Sequence, residues 1–147
     1  MPRPRSRERS RKGDPFSVRL TASTDRTVEE EARRTRRSKS AVVEALTEEA
    51  VRTRRFPGIA FRGDDARRRP WLIGSGLDVW EVAHMLEDFG SVEQLIANAP
   101  LSERQIRLAL AYRDAYPEEI AAAIGENRRS AAEWHELYPF VELPASR

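Results

Sequence analysis

The chain has 147 residues, enough for one ordinary domain or two small ones, and with 34% charged and 39% hydrophobic residues its core must be economical. It contains no apolar run of membrane-spanning length and no cysteine, which excludes disulfides, thiolate nucleophiles and cysteine metal sites. The basic N-terminus leads into no apolar signal segment, so we expect a cytoplasmic protein without a membrane partner.

The net charge of +2 conceals a strong segregation of charge along the chain. Residues 1–69 contain 20 Lys or Arg and 11 Asp or Glu, a net charge of +9. Residues 70–147 contain 6 and 13, a net charge of −7. This split predicts a front half that faces a polyanion and a back half with a different role. A charged surface that is merely solvated would explain the number of charged residues but not their segregation.

The first elements in chain order are a basic arm and a strand. Residues 1–13 alternate Arg with Pro, Ser and Glu, which predicts a flexible arm that contacts nucleic-acid phosphates or simply solubilises the chain. The next segment, FSVRLTA (residues 16–22), alternates apolar and polar residues as a half-buried strand does. A lone strand leaves its backbone groups unpaired, so this strand requires a partner.

Two helices are predicted after the strand, and together they have too few apolar residues for a core. The side chains of residues 23–25 are candidate caps for the first helix, whose apolar residues are only Val28 and Ala32. The second helix begins at Ser38 and has an apolar stripe at helical spacing. The stripe consists of Val42, Val43, Leu46 and Ala50. A second copy of the chain would supply the missing partners, because two strands can pair antiparallel while four helices share one core.

Residues 14–55 resemble the ribbon-helix-helix family of CopG, Arc and MetJ. The resemblance is carried by FSVRLT, by the eighteen-residue step from Leu20 to Ser38, and by SKSAVVEALTEEAV. It implies a β-α-α dimer that inserts an antiparallel strand pair into the major groove of DNA. Family members usually have a glycine and an aliphatic residue between the helices, where this chain has Arg36 and Arg37.

The resemblance gives two sets of candidate DNA contacts. The candidate base-reading residues, on the solvent face of the ribbon, are Ser17, Arg19 and Thr21. The candidate phosphate contacts, at the start of the second helix, are Ser38, Lys39 and Ser40. A bidentate contact of Arg19 with guanine is typically worth ~1–3 kcal/mol of discrimination. The alternatives are ordinary polar residues on a wet strand face and a simple N-cap at Ser38.

Beyond the helix break at Pro57-Gly58, a hairpin and several helices are predicted. IAFR and RRRPWLI flank a Gly-Asp-Asp turn and form a candidate hairpin, which could alternatively pair with the strand over 16–22. Helices are predicted over 78–88, 92–98 and 103–115, from capping boxes at Ser91 and Ser102. The last two make a helix-turn-helix arrangement. A further helix begins at Pro117, and a short one begins at Ser130.

PGIAFR, RRPWLIGSGLDVWEV and LSERQIRLALAYRDAYPEEI, from Pro57 to about Ile124, resemble the helix-turn-helix domains of VapB-type antitoxins. The resemblance implies a cognate toxin with a PIN-like nuclease fold. Candidate second DNA contacts on the hairpin are Arg67, Arg68 and Arg69, and on the second helix of the helix-turn-helix unit they are Arg104, Gln105 and Arg107. Because residues 70–147 are acidic, dimerisation or toxin binding is the favoured role of this unit.

The remaining chemistry is sparse. The aromatic tail either covers its own domain or contacts a partner, and its candidate contacts are Trp134, Tyr138 and Phe140. His84 and His135 lack a second ligand at metal-binding spacing, and neither a glycine-rich phosphate loop nor a nucleophile elbow is present. We therefore expect no metal site, no cofactor and no enzymatic activity.

The sequence thus predicts a mainly α protein with one N-terminal strand, forming a ribbon-helix-helix dimer joined to a small helix-turn-helix domain with a short hairpin. The predicted segments are a basic arm (1–13), the ribbon-helix-helix domain (14–55), the hairpin and helix-turn-helix domain (56–126), and the tail (127–147). The expected function is a DNA-binding antitoxin and autorepressor of a type II toxin-antitoxin operon, with dimers assembling further on DNA. The alternatives are a toxin-neutralising or scaffold protein that acts through protein contacts alone, and a regulator without a toxin.

Overall fold

The computed structural model describes residues 13–64 and 68–128 together with positions 133, 136 and 137. These residues form a mainly helical protein with one small antiparallel sheet, which confirms the predicted class at this level. The chain divides into a front unit, Met1–Val43, and a rear unit, Glu44–Arg147. Within the described ranges, no helix combines the length and apolar character needed to cross a membrane.

Residues 1–12 of the predicted basic arm lie outside the described residues, and the described part of the front unit begins with an irregular segment that leads into helix α1, Ala22–Thr35. Thr21 is the N-cap of this helix, and its hydroxyl accepts a hydrogen bond from the N–H of Thr24 at 3.3 Å. The predicted cap within residues 23–25 is therefore wrong, because those residues already lie in the first helical turn. Threonine suits this position because its side-chain oxygen satisfies one of the unpaired N–H groups at a helix start.

The strand predicted over residues 16–22 has no strand partner within the described part of a single chain. A strand exists through its ladder of hydrogen bonds with a neighbour, and the ladder here joins only the two strands of the hairpin. The alternative in which the hairpin pairs with residues 16–22 is therefore wrong. Ala22 is already helical, so the predicted strand is also one residue too long. Pairing with a second copy of the chain stays a prediction.

The turn after α1 contains a residue in an unfavourable conformation. Arg36 closes α1 in the left-handed region, at φ 53° and ψ 38°. Glycine is the usual residue at such a helix end, because a side chain at positive φ is strained. Helix α2 follows over Lys39–Arg55, as predicted, and the hydroxyl of Ser38 accepts a hydrogen bond from the N–H of Ala41 at 3.1 Å.

Helix α2 belongs to both units. The division falls between Val43 and Glu44, so only the first turn of α2 lies in the front unit, where Val42 is buried. The rest of α2 lies in the rear unit and leads directly to Phe56, a buried residue of the rear core. A single continuous helix therefore contributes apolar side chains to both units.

The rear unit begins with the predicted hairpin. Strand β1, Ile59–Arg62, pairs antiparallel with strand β2, Arg69–Leu72, so that Ile59 lies opposite Leu72 and Arg62 lies opposite Arg69. Ile59 and Leu72, at the open end of the hairpin, are fully buried, whereas the two arginines lie at its turn end. The hairpin is thereby held to the rear core at one end.

Four helices complete the rear unit, and each begins and ends within one residue of its prediction where one was given. They are α3 (Val79–Phe89), α4 (Val92–Asn98), α5 (Glu103–Ala115) and α6 (Pro117–Asn127). Ser91 and Ser102 cap α4 and α5, and Pro117 is the first residue of α6, as predicted. The helix predicted from Ser130 lies largely outside the described residues. The largest fully buried side chains of this core include Tyr112, Ile59, Leu72, Leu95, Ile106 and Ile120.

Candidate nucleic-acid interface

The segment that precedes α1 exposes large apolar side chains. Phe16 is 86% exposed and Val18 is 62% exposed, while Leu20 is half-buried. Ser17 and Arg19, two of the predicted base-reading residues, alternate with them and are exposed. Isolated exposed apolar residues are common, whereas here two large ones alternate along one short segment.

The third predicted base-reading residue, Thr21, already has a structural role. Its hydroxyl lies 3.0 Å from the hydroxyl of Thr24 and accepts a hydrogen bond from the N–H of the same residue. A contact of Thr21 with a base edge would have to share this hydroxyl with the cap. The single chain therefore presents Ser17 and Arg19 more directly than Thr21.

The predicted phosphate contacts lie together at the start of α2. Ser40 is exposed, and the hydroxyl of Ser38 caps the helix, a role that is compatible with phosphate binding by the neighbouring N–H groups. Lys39 forms ion pairs with two carboxylates of α1, Asp25 and Glu29, the second at 3.6 Å. The hydrogen bond with Asp25 raises the pKa of Lys39 above its usual value, with smaller contributions from the charges of both carboxylates.

The predicted basic edge of the hairpin is largely neutralised. Arg67 lies outside the described residues. Arg68 donates to the Glu49 carboxylate at 2.8 Å and to the carbonyl of Phe61 at 2.7 Å, and Arg69 donates to Asp78 at 2.8 Å. These contacts leave less positive charge at this edge than the sequence suggests.

Asp78, which sequence analysis did not single out, organises the hairpin. It is only 4% exposed, and its two carboxylate oxygens each accept from a different arginine, Arg62 and Arg69, at 2.8 Å. The indole N–H of Trp80 donates to the same carboxylate at 3.3 Å, and Glu81 accepts from the Asp78 N–H at 2.7 Å. The pattern Asp-Val-Trp-Glu at 78–81 is a capping box that could have identified Asp78 as the N-cap of α3, whose predicted start at 78 is one residue too early.

The candidate contacts on α5 are also partly engaged within the chain. The Gln105 side chain accepts from the N–H of Ser102 at 2.9 Å, which completes the predicted capping box. Arg107 donates to Glu103 one turn earlier at 2.7 Å. Arg104 is exposed in the first turn of the helix. Of the three residues, Arg104 is the one presented most directly to solvent.

No family model, no curated protein and no solved structure matches the chain. The assignment of function therefore rests on its own residues.

A partly buried polar network links the rear half of α2 to α5 and α6. The Arg52 guanidinium donates to the Tyr112 hydroxyl at 2.7 Å and to Glu119 at 2.6 Å, and also pairs with Glu48. It stacks 3.9 Å from the ring centroid of Tyr116. Burial lowers the pKa of Arg52, but the hydrogen bonds with Glu119 and Tyr112 outweigh this, so that the pKa is raised and the charge is secured.

The remaining candidate residues divide between described and undescribed parts of the chain. The Arg128 guanidinium donates a hydrogen bond to Nδ1 of His84 at 2.9 Å, and Nε2 of His84 lies 3.6 Å from the Asp88 carboxylate. Among the described residues, no group of three or more metal-ligating side chains is placed to hold an ion. The tail candidates all lie outside the described residues. They are Trp134, His135, Tyr138 and Phe140.

Proposed function

We propose that the protein is a homodimeric, sequence-specific DNA-binding antitoxin that represses its own operon, built from a ribbon-helix-helix domain and a helix-turn-helix domain. The observation that carries this proposal is the segment over residues 16–21. Its residues alternate in character, Phe16 and Val18 are exposed, and no strand pairs with it in the described part of the chain.

Antiparallel pairing of two copies of this segment would give it a strand partner and cover its exposed apolar side chains. It would satisfy backbone groups that a single chain leaves without a ladder, and it would cover Phe16 and Val18. Covering one such side chain fully is worth about 1.5–3 kcal/mol. Leu46 and Val51 of α2 are also exposed and provide further apolar surface for a second chain.

The opposite face of such a ribbon would carry the base-reading residues. Ser17 and Arg19 alternate with the apolar side chains, so they would point away from the dimer core and into the major groove. Arg19 should discriminate between bases more strongly than Ser17, because its guanidinium can donate two hydrogen bonds to O6 and N7 of guanine. Lys39 and the N–H groups at the start of α2 would then position the dimer on the phosphates.

The antitoxin role is supported by the resemblance over Pro57–Ile124 and by the charge of the back half. The expected toxin is a PIN-like nuclease encoded nearby, and its binding is the favoured role of the rear unit. The runner-up function, toxin neutralisation or scaffolding without DNA readout, is favoured by the ion pairs of Arg68, Arg69 and Arg107, which reduce the positive charge that the rear unit could offer to DNA.

The first experiment is equilibrium binding to a duplex from the gene's own upstream region and to a scrambled duplex, over a series of salt concentrations. We expect the wild type to prefer its own duplex and Arg19→Ala to lose that preference. Arg54→Ala removes the same charge from an exposed position on α2 and should keep it. Equal binding of both duplexes by all three proteins would show that only phosphates are contacted, and the runner-up function would replace the proposal.

Two further measurements test the dimer and the toxin. Phe16→Ser should shift the sedimentation equilibrium from dimer to monomer, whereas Ile73→Ser, at an exposed position of the rear unit, should not. An unchanged dimer in Phe16→Ser would argue against a ribbon. The product of an adjacent nuclease-like reading frame should be toxic alone and harmless when this chain is co-expressed.

A further inference from the structure

The start of α2 contains a conflict between its proposed role and its observed contacts. Lys39 is one of only two lysines in the sequence and lies in the first turn of α2. Its ammonium group pairs with Asp25, in the first turn of α1, and lies 3.6 Å from Glu29, one turn further along the same helix. The cation that would contact a phosphate is therefore already occupied by two carboxylates.

We infer that Asp25 and Glu29 compete with DNA phosphates for Lys39 and so weaken sequence-independent binding. This inference rests on the proposed DNA-binding function and concerns the regulation of the same surface. In the chain alone, the carboxylates hold the ammonium group of Lys39 as a phosphate would. A duplex must displace these carboxylates before its phosphate can contact Lys39.

The competition acts on affinity for any sequence and leaves base recognition unaffected. Phosphate contacts position a protein on DNA without distinguishing sequences, so weakening them lowers binding to the many non-specific sites of a genome. The contribution of Arg19 to base discrimination is untouched. The fraction of DNA-bound protein that occupies the specific site then depends more strongly on the base contacts of the ribbon.

The expected size of the effect follows from the exposure of the pair. Both side chains are partly exposed, and an exposed ion pair is weak, so releasing Lys39 should raise affinity by roughly two- to fivefold per chain. Each additional phosphate contact steepens the slope of log K against log salt by about 0.9, so a dimer should gain about two in slope.

The test is a double-mutant cycle measured on both duplexes over a salt series. Asp25→Asn keeps a side-chain oxygen that can accept a hydrogen bond from Lys39 but removes the charge. The cycle pairs it with Lys39→Gln, and Glu30→Gln, an exposed acid of the same helix, is the matched control. Circular dichroism of each variant verifies that the helices are retained.

We expect Asp25→Asn to bind both duplexes more tightly, with a steeper salt dependence, and to have no such effect in the Lys39→Gln background. An equal gain in Glu30→Gln, a gain that persists without Lys39, or no gain at all would overturn the inference. The cycle uses affinity for the scrambled duplex, so its result is independent of the sequence preference that tests the proposed function. If the protein binds neither duplex, both the inference and the proposed function are wrong.

Discussion

Replacing Arg52 with alanine should destabilise the rear unit by about 2–3 kcal/mol. The guanidinium is largely buried and makes hydrogen bonds with Tyr112 and Glu119, and it stacks on the ring of Tyr116. Arg52 thereby links α2 to both α5 and α6. Its loss should therefore loosen the attachment of α2 to the rear core.

The magnitude follows from which groups the substitution leaves without a partner. The Tyr112 hydroxyl would still donate to Glu119 at 3.0 Å, so it is not orphaned, and Glu119 is exposed enough for water to replace part of its ion pair. We therefore take about 1 kcal/mol for each lost hydrogen bond, below the usual range for charged partners. Loss of the cation–π contact with Tyr116 adds about 0.5 kcal/mol.

Urea unfolding of the full chain, followed by tryptophan fluorescence, measures this change, because Trp71 and Trp80 lie in the rear unit. Arg54→Ala, two residues further along α2 and exposed, should stay within about 0.5 kcal/mol of the wild type. A double-mutant cycle with Glu119→Gln should give a coupling energy of about 1 kcal/mol. Equal stability of the Arg52 and Arg54 variants, or a coupling near zero, would refute the reasoning.

Three further predictions follow from single residues. Arg36→Gly should raise the urea midpoint by the equivalent of about 0.5–1 kcal/mol, because glycine relieves the left-handed strain; a lower midpoint would contradict this. Burial, and then the charge of Glu119, raise the pKa of Tyr112 above its usual 10.0, so the unfolded chain loses its proton first and stability should fall as pH rises above that value. Tyr112→Phe should lack this decline, which denaturation at several alkaline pH values would reveal. Asp78→Asn should lower the free energy of unfolding, measured by thermal denaturation, by about 2–4 kcal/mol, because it removes the carboxylate charge that Arg62 and Arg69 share. A change below about 0.5 kcal/mol would show that this charge does not support the hairpin.

The elements that the sequence predicted well are those with local signals. Ser91 and Ser102 cap α4 and α5 by accepting from N–H groups three residues later, and Pro117, which has no N–H, begins α6. The hairpin was predictable for the same reason, because a turn and two short extended segments lie together in the sequence. Local chemistry also explains the one boundary error at α1, where Thr21 and the residues just after it are all acceptable caps.

The contacts that the sequence did not reveal join residues that are distant along the chain. Arg52 and Glu119 are 67 residues apart, and no spacing rule connects them. The ion pair of Lys39 with Asp25 likewise depends on the turn between α1 and α2, in which Arg36 adopts a left-handed conformation. The predicted strand over residues 16–22 is a different case, because its proposed partner is another molecule and a single chain shows only an unpaired segment.

The continuity of α2 across the two units has a consequence for how the chain unfolds. If the rear unit melts, the contacts of Arg52 and Phe56 are lost, and only the five residues Lys39–Val43 of α2 remain in the front unit. A helix that short does not persist alone in water, since nucleation is costly and each turn depends on the next. Val42 would then lose its place in the front unit. The front unit should therefore not outlast the rear unit on heating, and calorimetry should record no transition above that of the rear unit.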